Sequence, residues 1–162
     1  MSMRVGLGFD VHPFGGDGTL VVGGVALPGP GLAGHSDADV VAHAVADALL
    51  GAAGLPDLGT LYPASDERSR GASSIGLLVE VAERVAGDGW RATNVDVVVA
   101  AEQPALGPHT AEMAANIARA LAPLEPATVS VKPKRAEGLG AIGRSEGIAV
   151  WAVVALSTLG GQ

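Results

Sequence analysis

Asp10 and His12 stand two residues apart behind the run Met3 to Phe9, and a further histidine, His43, follows inside an apolar stretch. Two apart on a strand end, the first two side chains leave the same face and can converge on one divalent ion. An Asp-x-His triplet also arises by chance, so alone it does not define a site. His43 lies one helical turn after Asp39 and one before Asp47, and the three form a polar stripe on a helix whose other face is Val and Leu. A solvated stripe is the other meaning of that pattern, and it fits Asp39 equally. Two imidazoles and one carboxylate are donors that suit tetrahedral Zn2+ and leave its fourth position open. Asp47, one turn beyond His43, is placed to orient the imidazole.

Lys132, Lys134, Arg135 and Arg144 include both lysines of a chain with 10 cationic residues. The cluster reads as a solvated basic turn or as a phosphate site. Gly138, Gly140 and Gly143 spell G-x-G-x-x-G, but the dinucleotide reading needs a strand directly before, a helix directly after and an acidic residue about 20 positions on. Here the following residues read as a strand and the chain ends too soon. Backbone N–H groups freed by these glycines remain able to cradle a phosphate. Glu137, inside this basic loop, calls for a cation of its own, a neighbouring side chain or a second metal. Asp57, Leu58 and Gly59 form a turn after Pro56 that can offer acceptors to a polyol, although a plain turn is the commoner meaning.

These residues need one domain to position them. The chain has 162 residues, 48% of them hydrophobic, enough for a core of its own over 1–162. It has no cysteine, which excludes thiolate sites and disulfides and favours a cytoplasmic protein. The opening MSMRVGLGF lacks a secretory pattern, and no apolar run reaches the length of a membrane span, so neither secretion nor membrane insertion is expected. A net charge of -7 argues against a nucleic-acid partner.

Met3 to Phe9 is expected to be a strand that delivers Asp10 and His12, with a second short strand at Leu20 to Val25 after a turn at Gly15 and Gly16. Ser36 followed by Asp39 has the form of a capping box, and Val40, Val41, Ala44, Val45, Ala48 and Leu49 recur at helical spacing until Gly54 and Pro56. A second helix is expected from Ile75 to Ala86 and a third after Pro108, with Met113, Ile117 and Leu121 on one face. Strands are expected at Val95 to Ala101 and Val129 to Lys132. The almost continuously apolar Ile148 to Leu156 fits a strand covered on both faces, by helices on one side and another subunit on the other. The fold class is therefore α+β, a mixed β-sheet with helices on one face.

Taken together, GLGFDVHPF at Gly6 to Phe14, GHSDADVVAHAVADALLGAAGLPDLGTLYP at Gly34 to Pro63, AEQPALGPH at Ala101 to His109 and EGLGAIGRSEGIA at Glu137 to Ala149 resemble the 2-C-methyl-D-erythritol 2,4-cyclodiphosphate synthases of non-mevalonate isoprenoid synthesis. The resemblance implies a lyase in which the 2-phosphate of a cytidine diphosphate-linked methylerythritol attacks the nearer diphosphate phosphorus and CMP departs. It implies a homotrimer, with the free sheet face towards the threefold axis and sites between subunits. By position, Asp10, His12 and His43 match ligands of one Zn2+ per subunit, and Glu137 matches a ligand of a second ion, Mg2+ or Mn2+. His35 and Arg135 match transition-state stabilisers, with Ser36 also near phosphate. Asp57, Leu58, Gly59, Tyr62 and Asp66 fall in the methylerythritol region. Ala101, Glu102, Gln103, Pro104, Ala105, Leu106 and Gly107 match the cytosine pocket, and Lys134, Ala136, Ala141 and Arg144 complete the implied contacts.

This chain departs from the pattern at three positions. Arg135 stands where many members have Thr, Ala105 where Lys is common and Ala64 where Asp is frequent. Two other readings use the same residues. A metal-dependent phosphoesterase would release inorganic phosphate rather than CMP, and a non-catalytic trimer would only bind isoprenoid diphosphates.

Overall fold

β1 (Met3–Val22) runs through the expected glycine turn without reversing. The computed structural model describes residues 2–34, 36–63, 72–126 and 128–158. Gly15 takes a φ of 109°, and register shifts between Phe14 and Leu20 absorb the glycines as bulges while pairing with β2 (Val25–Leu32) continues. The reversal falls instead at Gly23 and Gly24, both at positive φ, whose N–H groups donate to the Asp39 carboxylate at 2.8 and 2.6 Å. The second strand is thus displaced along the chain from its expected place, because a buried acceptor selects the later glycine pair.

Asp39, rather than Ser36, caps α1 (Val40–Ala53), accepting from the Val41 and Ala42 N–H groups. It is buried and outside the polar stripe expected of it. Gly54, at φ 77°, ends the helix. α1 packs on β1 and on the last strand, β5 (Gly147–Thr158), and against α3 (Ser74–Gly87), which Ser73 caps. Between them lies the short α2 (Leu58–Leu61). Gly6 and Gly8 let α1 settle directly on β1, since a Cβ at either would lie 2.0 and 1.9 Å from the Ala48 and Ala44 carbonyl oxygens.

β3 (Trp90–Ala100) leads through a 3-10 turn at Gly107–His109 into α4 (Thr110–Ala120), with Met113 and Ile117 buried as the helical spacing requires. β4 (Val129–Lys134), the single-turn α5 (Gly140–Gly143) and β5 (Gly147–Thr158) complete the order. The strands form one sheet, β2-β1-β5-β3-β4, antiparallel except where β3 and β4 run parallel. Ile148, Val150, Ala152, Val154 and Leu156 of β5 are buried on the helical face. Its other face is open within the chain, where Trp151 and Val153 are 42% and 39% exposed beside Val5, Leu7, Phe9 and Val11 of β1. The α+β reading holds, and among the described residues no helix is long and apolar enough to cross a membrane.

Candidate functional site

The even-numbered residues of β1 face α1, so Asp10 and His12 follow Gly6 and Gly8 on the helical side. The close approach at those glycines brings His43, next to Ala44, against them. Asp10 Oδ2 is 3.0 Å from His12 Nε2 and 3.1 Å from His43 Nδ1, and the two nitrogens are 3.3 Å apart. One donor atom from each residue lies within 4.8 Å of the others, and this is the group found among the described residues that could hold a metal ion.

The donor set fits a divalent ion. His12 Nδ1 donates to the Ala33 carbonyl oxygen at 2.7 Å, which leaves Nε2 as the nitrogen turned to Asp10 and His43, where an ion would take the place of its proton. Burial alone would raise the Asp10 carboxyl, but hydrogen bonds from both histidines outweigh it and hold the group far below the usual carboxylate range. The Asp10 carboxylate correspondingly raises His12 above the ordinary imidazole value, against the opposing effect of burial. One carboxylate and two imidazoles, all partly buried, are arranged to exchange these internal bonds for a metal.

Asp47 does not orient His43. It accepts from the Leu58 N–H at 2.7 Å and ties α1 to α2, whose first turn presents N–H groups with no partner inside the helix. The imidazole is held instead by Ser74 and Ser36, whose Oγ atoms lie 2.9 and 3.2 Å from His43 Nε2. Ser74 carries no signal in the sequence, because it lies 31 positions from the His43 imidazole that it holds. Asp57, on the turn before α2, caps it by accepting from the Thr60 N–H and hydroxyl at 2.9 and 3.0 Å. Gly59 lies in the same turn, and the Tyr62 hydroxyl donates to Glu80. His35, Ala64 and Asp66 lie outside the described residues.

A second constellation gathers on the loop after β3. Ala101, Glu102, Gln103, Pro104, Ala105, Leu106 and Gly107 line a cleft of about 200 Å³ together with Pro133, Lys134 and Arg135 at the end of β4. The Arg135 guanidinium donates through both Nε and Nη2 to Glu102 Oε1, and the Gly138 N–H lies 3.5 Å from the other oxygen. Hydrogen bonding to Arg135 holds the Glu102 carboxyl below its ordinary range. The basic cluster is therefore not a pool of unengaged charge. Lys132 pairs with Asp96 at 2.6 Å on the open sheet face, and Arg144 pairs with Glu146. Glu137 is exposed on the turn beyond Arg135, in the left-handed region at φ 53°, and is not part of the Asp10 cluster.

Strand register relates the two constellations. Asp10 faces Val150, Val150 faces Val99 and Val99 faces Pro133, so both lie at one end of the sheet, three strand spacings or roughly 14 Å apart.

Comparison with known proteins follows this geometry along the whole chain. The YgbB family model matches residues 3–157. The 2-C-methyl-D-erythritol 2,4-cyclodiphosphate synthase of Rubrobacter xylanophilus is 54% identical over 157 residues, covering 94% of each chain. The bifunctional enzyme IspD/IspF of Anaeromyxobacter dehalogenans is 49% identical over 154 residues, which make up 95% of this chain but 40% of that protein. The chain thus spans less than half the length of such bifunctional relatives. Among solved structures, the CDP complex of IspF from Plasmodium falciparum superposes with a TM-score of 0.82 at 31% identity, covering 96% of each chain. With its model matched from Met3 to Ser157 and half the residues shared with synthases of the same length, the chain belongs to the YgbB family, alongside the 2-C-methyl-D-erythritol 2,4-cyclodiphosphate synthases.

Proposed function

We propose that this chain catalyses the cyclisation of 4-diphosphocytidyl-2-C-methyl-D-erythritol 2-phosphate to 2-C-methyl-D-erythritol 2,4-cyclodiphosphate with release of CMP. The observation that carries the proposal is the convergence of Asp10, His12 and His43, in a chain half identical to proteins that bear this synthase name. An oxygen of the 2-phosphate forms a bond to the diphosphate phosphorus nearer the methylerythritol, and the bond from that phosphorus to the CMP oxygen breaks. No protein nucleophile is needed, so the work is alignment and charge neutralisation.

Asp10, His12 and His43 would hold one Zn2+ per subunit, and Glu137 would hold Mg2+ or Mn2+ on the diphosphate. Such ions supply Lewis-acid polarisation of phosphoryl oxygens. His35, Ser36 and Arg135 would meet the charge that develops on phosphorus, with Lys134, Ala136, Ala141 and Arg144 around the phosphates. Asp57, Leu58, Gly59, Tyr62 and Asp66 would hold the methylerythritol. The loop 101–107 would take the cytosine, mostly through backbone groups, in the cleft it already lines. The CDP bound by the Plasmodium falciparum protein supports a cytidine ligand here.

We place the active unit as a homotrimer with sites between subunits, in the cytoplasm. The open apolar sheet face needs a cover, which the neighbouring copies of a trimer would supply. Supplying the substrate with zinc and magnesium and following the products by phosphorus NMR tests the reaction. CMP with cyclic diphosphate is expected. Inorganic phosphate would favour a phosphoesterase, and no turnover would favour a binding protein.

A further inference from the structure

His43 turns one ring nitrogen to the metal cluster and the other to a chain of hydroxyls. Nδ1 lies 3.1 Å from Asp10 Oδ2, while Nε2 lies 2.9 Å from the Oγ of Ser74, a residue 1% exposed. Ser74 Oγ in turn makes a short hydrogen bond to Asp37 Oδ1 and lies 3.1 Å from Ser36 Oγ. Ser36 Oγ accepts from the Ala38 N–H at 3.1 Å.

The protons in this network can be assigned by counting. Asp37 Oδ1 already accepts from the Ser74 N–H at 3.2 Å and the Asp39 N–H at 3.3 Å, which marks this oxygen as an acceptor. The single Ser74 hydroxyl proton therefore goes to Asp37. Ser74 Oγ is left with lone pairs only, which accept from the Ser36 hydroxyl and from a proton on His43 Nε2. Every group on this side of the ring is then satisfied, and on the other side Nδ1 faces Asp10 Oδ2 at 3.1 Å, where an ion would take the place of a proton. The reverse assignment, with Ser74 donating to His43, sets an oxygen lone pair of Ser74 against the Asp37 carboxylate at hydrogen-bond distance inside the protein, where an unmade bond is costly.

We infer that Asp37, acting through the Ser74 hydroxyl, fixes the His43 tautomer with the proton on Nε2 and the Nδ1 lone pair aimed at the metal cluster, so that Asp37 and Ser74 are positioning residues for metal capture. The inference rests on the metal reading above. His12 offers the mirror case, where the Ala33 carbonyl holds the proton on Nδ1 and presents Nε2. The two imidazoles use opposite nitrogens because one enters from a strand and the other from the facing helix, and each carries its own acceptor on the far side.

The test uses the full chain, stripped of metal and labelled with nitrogen-15. Followed upward in pH until both cluster imidazoles are neutral, long-range proton–nitrogen spectra should show His43 bare at Nδ1 and protonated at Nε2. In Ser74→Ala, Ser36 loses its acceptor and can turn its proton to Nε2, so a population protonated at Nδ1 should appear. Zinc affinity, measured by competition with a chromophoric chelator, should fall roughly 10 to 100-fold. Asp37→Asn, whose amide can donate as well as accept, should give mixed tautomers and a smaller loss. A neutral native His43 with its proton on Nδ1 overturns the relay whatever the metal result, as does zinc affinity within twofold of the parent in a folded Ser74→Ala. If Ser74→Ala does not fold, the native spectrum and Asp37→Asn decide. A parent chain that shows the predicted tautomer yet binds no zinc leaves the network standing and removes the metal reading.

Discussion

At the scale of single residues, the three donors are individually ordinary, and their meaning comes from convergence. His43 contributes the only donor from α1, so its loss should leave a two-donor remnant. Elemental analysis is expected to find close to one zinc per parent chain and a small fraction of that in His43→Ala; bound metal unchanged by the mutation would remove His43 from the site. Arg135 is harder to read. Its guanidinium is bonded to Glu102 through two nitrogens, so a part in phosphate binding must come from its remaining N–H groups or from an exchange of partners when substrate arrives. Arg135→Ala is expected to lower kcat roughly 10 to 1,000-fold with a smaller change in KM. Arg135→Thr should retain part of the activity, and kcat unchanged in the alanine variant would leave the side chain a loop clamp on Glu102. The Asp10, His12 and His43 group was legible because its types and periodicities are those of a metal site. Ser74 and the partners of Arg135 and Lys132 were not, since a hydrogen bond between residues far apart in the chain depends on register and packing that no local spacing encodes.

At the scale of elements, the site exists because α1 lies unusually close to β1. Gly8→Ala would place a methyl group 1.9 Å from the Ala44 carbonyl oxygen, next to His43. The helix would have to move, with a cost of about 3 kcal/mol or more in urea unfolding and loss of bound zinc. Gly51→Ala makes the same chemical change in the interior of α1 but meets nothing within 4 Å. It should stabilise by about 0.5 to 1 kcal/mol, the helix preference of Ala over Gly, and opposite signs are the expected result. Across the sheet, hydrogen bonds from Lys132 and then Ser130 hold Asp96 below its unfolded value, so the pair stabilises the fold above about pH 4 and this contribution fades as acid protonates the carboxylate. Both side chains are more than a third exposed, which screens the effect to about 0.5 kcal/mol. The difference in unfolding free energy between parent and Asp96→Asn should shrink from pH 7 towards pH 3. Helices α1, α3 and α4 were legible from apolar spacing. The β1 boundary was not, because Gly15 and Gly16 read locally as a turn, while Asp39, remote in sequence, fixes the reversal at Gly23 and Gly24.

At the scale of the whole molecule, the apolar run of the last strand already implied two covers, and the fold supplies one. Met3, Val5 and Leu7 are 71%, 66% and 66% exposed, and they continue across β1 and β5 into Phe9 and Trp151, whose rings are 5.2 Å apart. A row of this kind across two paired strands is unfavourable in water, and threefold closure would bury it in every copy at once. Leu7→Asp is expected to give monomers by light scattering that still bind zinc, because Leu7 points away from the Asp10 face. The proposed placement of sites between subunits makes a sharper prediction. His43→Ala removes the metal centre of its own subunit, and Ala105→Trp fills the cleft of its own subunit, so each variant alone should be inactive. If a site joins the metal centre of one copy to the cleft of the next, a trimer mixed at random from equal parts of the two variants has an intact pairing at about one interface in four. Unfolding and refolding the variants together should therefore restore about a quarter of parental activity. If each copy carries a complete site, mixing restores nothing, because every copy then bears a lesion in the one site it owns.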